Sequence, residues 1–194
     1  NKAMKMKQAK VLTDKELKRV IEYVDVVDRY AERNRAMILL THYLGLRVSE
    51  LANLRTDNVL NEHNELNDVI YLNSEQTKGS KSRRIFVGKK AKAVLNRYLK
   101  HATNASKRTY LFSTQQSHKF NVNALTQLFK QWYARAGIVG ASSHSGRRGM
   151  ITKLAASGVS VRVIAEIVGH ANIGTTQRYI DVNDEMMSNA VELV

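Results

Sequence analysis

Six side chains of this sequence suit one kind of chemistry when taken together: Arg47, Lys78, His144, Arg147, His170 and Tyr179. Two arginines, two histidines and a lysine fit the transition state of a phosphodiester. Guanidinium groups offer planar forks to nonbridging oxygens, and donors of that kind stabilise developing charge without a metal. A tyrosine hydroxyl is then a fitting nucleophile, because a phosphotyrosine ester keeps the bond energy for rejoining. The acidic residues show no cluster with the spacing of a two-metal nuclease. Cys is absent, which removes thiolate nucleophiles, disulfides and cysteine metal sites and is compatible with a reducing, cytoplasmic setting. Neither metal nor cofactor is expected.

Each piece alone has a second reading. His144 and Arg147 are three apart and share a helix face. Ser142 and Ser143 can cap that helix start, where free N–H groups and the dipole favour an anion; a solvated basic helix start fits equally well. Arg47 opens a short helix after Gly45, and Glu50 can orient or neutralise it, although such a pair by itself reads as an ordinary surface ion pair. Lys78 lies in the turn-rich tip Thr77-Lys78-Gly79-Ser80-Lys81, from which a flexible ammonium can reach a docked ligand. Exposed turns are also commonly rich in Lys. Lys81, Arg83 and Arg84 suggest that this hairpin faces DNA, without naming a catalyst. His170 follows Gly169, and Asn172 caps a helix carrying Ile173, Thr176 and Tyr179. That helix–glycine–helix pattern fits a helix-turn-helix DNA reader as well.

The elements that must position these groups are legible from spacing. Thr13-Asp14-Lys15-Glu16 is a capping box, opening a helix with Leu17, Val20, Ile21 and Val24 on one face. A second helix is predicted from Ala31 to Leu44 with Gly45 as its stop, and a third, short one through Leu51 and Leu54. Val69–Leu72 and Arg84–Val87 read as strands. Helices follow near 90–102, 121–136, 144–157, 160–168 and 172–179, with a tail to Val194. The fold class is mainly α with a small antiparallel β-sheet, an α+β domain. The divisions are a linker at 1–10, a catalytic domain at 11–182 and a helical tail at 183–194.

The charge balance names a partner. Lys and Arg number 31 against 17 acids, a formal net charge of +14. Such an excess repels itself in the compact state, and a polyanion relieves it. Double-stranded DNA is the first candidate and an anionic membrane surface the second. No apolar run approaches the ~20 residues of a membrane span, and the basic start lacks the apolar core of a signal peptide.

The residues, in order, resemble the catalytic domain of the tyrosine recombinases, also called the phage integrase family. Four stretches carry the likeness: Gly45-Leu46-Arg47-Val48-Ser49-Glu50-Leu51; Thr77 to Lys81; His144-Ser145-Gly146-Arg147; and Gly169-His170 followed by Thr175-Thr176-Gln177-Arg178-Tyr179. It spans Thr13 to Val182, and His170 and Tyr179 are nine apart, as the family pattern expects. The resemblance implies a site-specific recombinase that cuts and rejoins DNA through a 3′-phosphotyrosyl intermediate. Arg47 and Arg147 would clamp the scissile phosphate, with His170 as a third donor. Lys78 would protonate the departing 5′ oxygen, His144 would assist proton transfer and Tyr179 would attack. It further implies a homotetramer on two DNA sites, a monomer without DNA, an N-terminal DNA-binding domain elsewhere in the protein, and a tail exchanged between subunits. The alternatives are a type IB topoisomerase and a basic domain that only holds DNA. Two positions depart from the family pattern: Gly146 where Leu is frequent, and Arg148 where His is. Gly146 should weaken its helix by roughly 1 kcal/mol relative to Ala, and Arg148 is a phosphate contact or a surface charge.

Overall fold

A computed structural model describes residues 8–77, 81–102 and 104–194. The capping box forms as the spacing requires: Glu16 N–H donates to the Thr13 hydroxyl, and Thr13 N–H to the Glu16 carboxylate. Helix α1 (Asp14–Val27) buries Val20, Ile21 and Val24. Helix α2 (Ala31–Leu44) is buried on most sides and ends at Gly45 in the left-handed conformation, φ 62°. Short helices α3 (Val48–Ala52) and α4 (Thr56–Val59) lead into strand β1 (Val69–Leu72), which pairs antiparallel with β2 (Arg83–Phe86). The register sets Ile70 opposite Ile85 and Leu72 opposite Arg83.

The rest is helical: α5 (Lys89–His101), a 3₁₀ turn at Ala105–Lys107, α6 (Val122–Arg135), α7 (Ser145–Ala156), α8 (Val161–Val168), α9 (Ile173–Gln177) and α10 (Asp184–Val191). One large core joins α1 to α6 and both strands through residues such as Met37, Leu40, Leu51, Ile70, Phe129 and Tyr133. A second, smaller core of Ile151, Ala155, Ile164 and Val168 lies under α7 and α8, with Tyr179 and Ile180 packed against it. The fold class read from the sequence stands. Among the described residues no helix is long and apolar enough to cross a membrane.

Three local expectations are corrected. Strand β2 starts one residue earlier than predicted, because Arg83 faces inward with Ile85 while Arg84 and Phe86 face out. Helix α9 stops at Gln177, so Tyr179 lies in the turn beyond it, its N–H donating to Thr176 O at 3.0 Å. Helix α7 takes His144 as its N-cap without a side-chain cap. Ser142 and Ser145 instead shape the preceding turn, through His144 N–H to Ser142 Oγ at 3.2 Å and Ser142 N–H to Ser145 Oγ at 2.9 Å.

Gly146 has a steric role that propensity alone does not reveal. A Cβ there would lie 2.7 Å from the Thr41 main-chain carbon, because α7 crosses α2 at backbone contact. The helix start gives up some intrinsic stability so that Arg147 can sit against the end of α2.

Candidate active site

Arg147 is 5% exposed. Its Nη1 donates to Gly45 O at 2.8 Å and its Nη2 to Val168 O at 2.6 Å. These carbonyls close α2 and α8, where helix ends leave acceptors unpaired and the dipole favours a cation. One guanidinium therefore ties two helix ends together. It has five N–H groups, so the two bonds leave capacity for an anion. Burial first, then Arg47 and Arg83, push its pKa down to about 9, and it remains charged at neutral pH.

Arg47 is the N-cap residue of α3. Its N–H donates to Glu50 Oε2 at 2.9 Å and its Nη1 to Glu50 Oε1 at 3.0 Å. This is no ordinary surface pair, because Glu50 is 0% exposed and the Arg47 side chain 24%. Glu50 also accepts from Arg83 Nη1. Burial raises the Glu50 pKa, but Arg83 and the Arg47 N–H outweigh it and hold the carboxyl below its usual range. Arg83 itself is 7% exposed, which corrects the expectation that it faces DNA from the hairpin; Lys81 and Arg84 are exposed.

His170 follows the left-handed turn at Gly169, φ 68°. Its Nδ1 lies 2.7 Å from Thr176 Oγ1. Its ring stacks on Tyr179, with centroids 5.9 Å apart and planes 18° from parallel. Burial, then Arg147, Arg47 and Arg83, lower its pKa to about 4, so it is neutral at pH 7. A Thr176 hydroxyl that donates to Nδ1 would leave the ring proton on Nε2, the tautomer that can donate to a phosphate oxygen. Tyr179 is half-buried between this ring and the Arg148 guanidinium, which lies 5.9 Å from the tyrosine centroid. Arg148 Nη1 also donates to Ala9 O at 3.0 Å. It is thus a partly buried tie between α7, the nucleophile's ring and the entering chain, rather than a simple surface charge.

His144 is exposed at the start of α7, while Arg147, three residues on, is buried. Lys78 lies outside the described residues. Of the described residues that flank it, the Thr77 hydroxyl donates to Lys81 O at 2.5 Å. Gln76, 6% exposed, pins the same loop to the helical body by donating to Asn53 O at 2.9 Å.

The structure therefore brings Arg47, Arg147, His170 and Tyr179 together. Glu50 holds Arg47, the orienting role read for it from the spacing, and the structure adds Arg83 and Thr176 as further holding groups. Inward alternation of Arg83 with Ile85 was the available signal for Arg83; Thr176 was legible only as one position of the helix that carries Ile173 and Tyr179, and no local pattern marks Gln76. Arg47 and Arg83 share the buried Glu50 carboxylate, and Arg147 stands near them on two main-chain carbonyls, an excess of positive charge suited to a phosphate.

The family profile described as the phage integrase family matches residues 10–186. The chain belongs to the phage integrase family. Relatives within it include the tyrosine recombinase XerA of Pyrococcus furiosus, 30% identical over 94% of this chain and 61% of the relative. The tyrosine recombinase XerD of Ralstonia nicotianae is 35% identical over 92% of this chain and 58% of the relative. The chain thus spans about three fifths of the length of the curated relatives it matches. A crystal structure of XerA recombinase superposes with a TM-score of 0.75 at 26% identity, over 95% of this chain and 64% of that one. The Tn1549 transposon integrase in complex with transposon right end DNA shares the fold, with a TM-score of 0.75 at 18% identity over 98% of this chain and 67% of that one. The integrase-family assignment agrees with the four sequence stretches that suggested it.

Proposed function

We propose that this integrase-family domain is a site-specific DNA recombinase that breaks and rejoins strands through a covalent bond between Tyr179 and a 3′ phosphate. The observation that carries the reading is the cluster of Arg47, Arg83 and Arg147, three guanidinium groups against the single carboxylate of Glu50, beside the His170–Tyr179 stack. In the proposed reaction the Tyr179 oxygen attacks the scissile phosphorus. Arg47, Arg147 and the Nε2–H of neutral His170 donate to the nonbridging oxygens, and the bond to the 5′ oxygen breaks. Lys78 gives that oxygen its proton, and His144 assists removal of the tyrosine proton. A 5′ hydroxyl from another cleaved strand then displaces the tyrosine, so no bond energy is lost between the two halves.

Double-stranded DNA is the proposed partner, with Lys81 and Arg148 as further contacts. A net charge of +14 supports it, and the Tn1549 integrase was solved with DNA. The proposed assembly is four copies on two duplexes in the cytoplasm, with a further DNA-binding domain in the whole protein, in keeping with the greater length of the relatives. Helix α10 buries none of its residues, leaving Met187 and Val191 exposed at 52% and 65%. Its apolar stripe is proposed to dock on a neighbouring copy.

The test is a nicked suicide duplex carrying the cleavage site mapped on candidate host and element DNA. The parent chain should form a covalent adduct at Tyr179. Tyr179→Phe should form none while its DNA affinity stays within about twofold, since only the reacting hydroxyl is removed. An adduct in the phenylalanine variant overturns the assignment. Joining of strands from two duplexes separates recombination from topoisomerase action.

A further inference from the structure

We propose that Arg83 is a positioning residue that sets the spacing between the Arg47 and His170 sides of the site by joining them through one buried guanidinium. The inference rests on the recombinase reading above and concerns a residue that touches neither the phosphate nor Tyr179 in that reading. On one side Arg83 Nη1 donates to Glu50, the carboxylate that also accepts from the Arg47 N–H and Nη1. On the other side Arg83 Nη2 donates to Ile167 O at 3.2 Å, in the last turn of α8. Two residues later the chain makes the Gly169 turn that delivers His170. That turn is packed directly on the arginine: a Cβ at Gly169 would lie 2.8 Å from Arg83 Cδ and 3.1 Å from its Nε.

The two sides belong to different packing units. Leu51 of α3 is in the large core, whereas Ile164 and Val168 of α8 are in the small one. The close crossing of α7 on α2 joins the two cores at one place, and polar links fix the seam on the α8 side. Arg147 supplies one between the ends of α2 and α8. Arg83 supplies a further one, between α3 and α8, from the first residue of β2. A simple stabilising role accounts poorly for a charge at this place. Taking ions out of water is costly, and well-packed apolar residues often stabilise as much. The Arg83 Nε is in addition buried without a hydrogen-bond partner among the described residues. What an apolar residue cannot do is hold a carboxylate and a main-chain carbonyl at a fixed separation on one rigid plane.

The experiment uses Arg83→Met and Arg83→Lys. Lysine keeps a cation for Glu50, but its single ammonium lacks the second arm that reaches Ile167 O. It therefore breaks the link while sparing the buried ion pair, and it decides the question if the methionine variant fails to fold. Without DNA, amide hydrogen exchange in Arg83→Lys should accelerate at Gly169 and His170, which in the parent donate to Glu166 O at 3.2 Å and Ala165 O at 2.9 Å. Exchange at the Arg47 amide should remain slow.

With the mapped suicide duplex, single-turnover cleavage should fall about 10²-fold, as ångström-scale misplacement of reacting groups does. The dissociation constant for DNA should hardly change. The fall should be the same when sulfur replaces the 5′ bridging oxygen, because clamp geometry and not leaving-group protonation is impaired. Parental cleavage by a folded Arg83→Lys, or full rescue by sulfur, overturns the proposal. If the parent itself forms no Tyr179 adduct, the recombinase reading fails, and unchanged exchange at Gly169 and His170 would separately refute the link.

Discussion

Lys78 and His170 make different demands on their surroundings, and each gives a test. Lys78 is proposed as the acid for the departing oxygen. Lys78→Ala should lose about 10²–10⁴-fold in cleavage, the usual share of general acid catalysis, and recover on the sulfur-substituted substrate, which needs little protonation. Equal impairment on both substrates would place the acid elsewhere. His170 depends on Thr176, which is 0% exposed and 2.7 Å from Nδ1. Thr176→Val keeps the shape and removes the hydroxyl, so the ring loses its Nδ1 partner, proposed to keep the proton on Nε2. Cleavage should slow on ordinary and sulfur substrates alike, while DNA affinity holds. A valine variant with parental cleavage would show that the tautomer is set by something other than Thr176.

At the scale of elements, the site exists because helices meet at backbone contact. Helix propensity alone says that Gly146→Ala should stabilise α7 by about 1 kcal/mol. The structure reverses the sign, since the added methyl runs into Thr41 of α2. Overpacking at such a contact costs about 1–3 kcal/mol, so urea unfolding should shift to lower denaturant. A more stable alanine variant would mean that α7 can back away from α2 without loss. Helix α10 is the opposite case, an element with no face buried. A stripe that short is marginal in isolation. Removing Met186 to Val194 should weaken joining between two sites more than cleavage at one. Equal loss in both assays, or an unfolded truncation, would make α10 local structure.

For the whole molecule, charge and burial set the dependence on salt and pH. A +14 chain bound to DNA releases counterions. Its log affinity should therefore fall with log salt by about 0.9 per phosphate neutralised; a flat plot would contradict binding through the basic surface. Acid should also destabilise the fold. His42, buried against the Tyr133 hydroxyl at 3.1 Å, is lowered by burial to about 4, and His170 to the same region. Their folded values lie below the ordinary 6.5, so the unfolded chain binds more protons between those limits. Stability is full above pH about 6.5 and declines as pH falls toward 4. Glu50, whose carboxyl is held below its ordinary 4.5, adds to the loss as pH falls from about 4.5, where the unfolded chain takes up its proton first. Urea midpoints from pH 7.5 to 4.5 check this, and a constant midpoint would refute it.

The sequence by itself determined the elements and the order of the chemical groups. Both depend on near neighbours: a capping box at Thr13, a left-handed glycine at 45, apolar spacing along α1 and α8, and ordered motifs that resemble one family. What only the tertiary structure decided is which charges are buried and what they hold. Arg83 and Lys81 are two residues apart in one basic run, yet one is in the interior and the other in solvent. Glu50 reads locally as the partner of Arg47, but it is 0% exposed and its second partner, Arg83, comes from β2. Thr176 carries no mark of its task until the Gly169 turn brings His170 back against it. Such roles come from contacts between residues as far apart as Glu50 and Arg83, or Arg83 and Ile167. Those contacts form only when separate cores pack, and the desolvation that gives each group its value exists only in the folded chain.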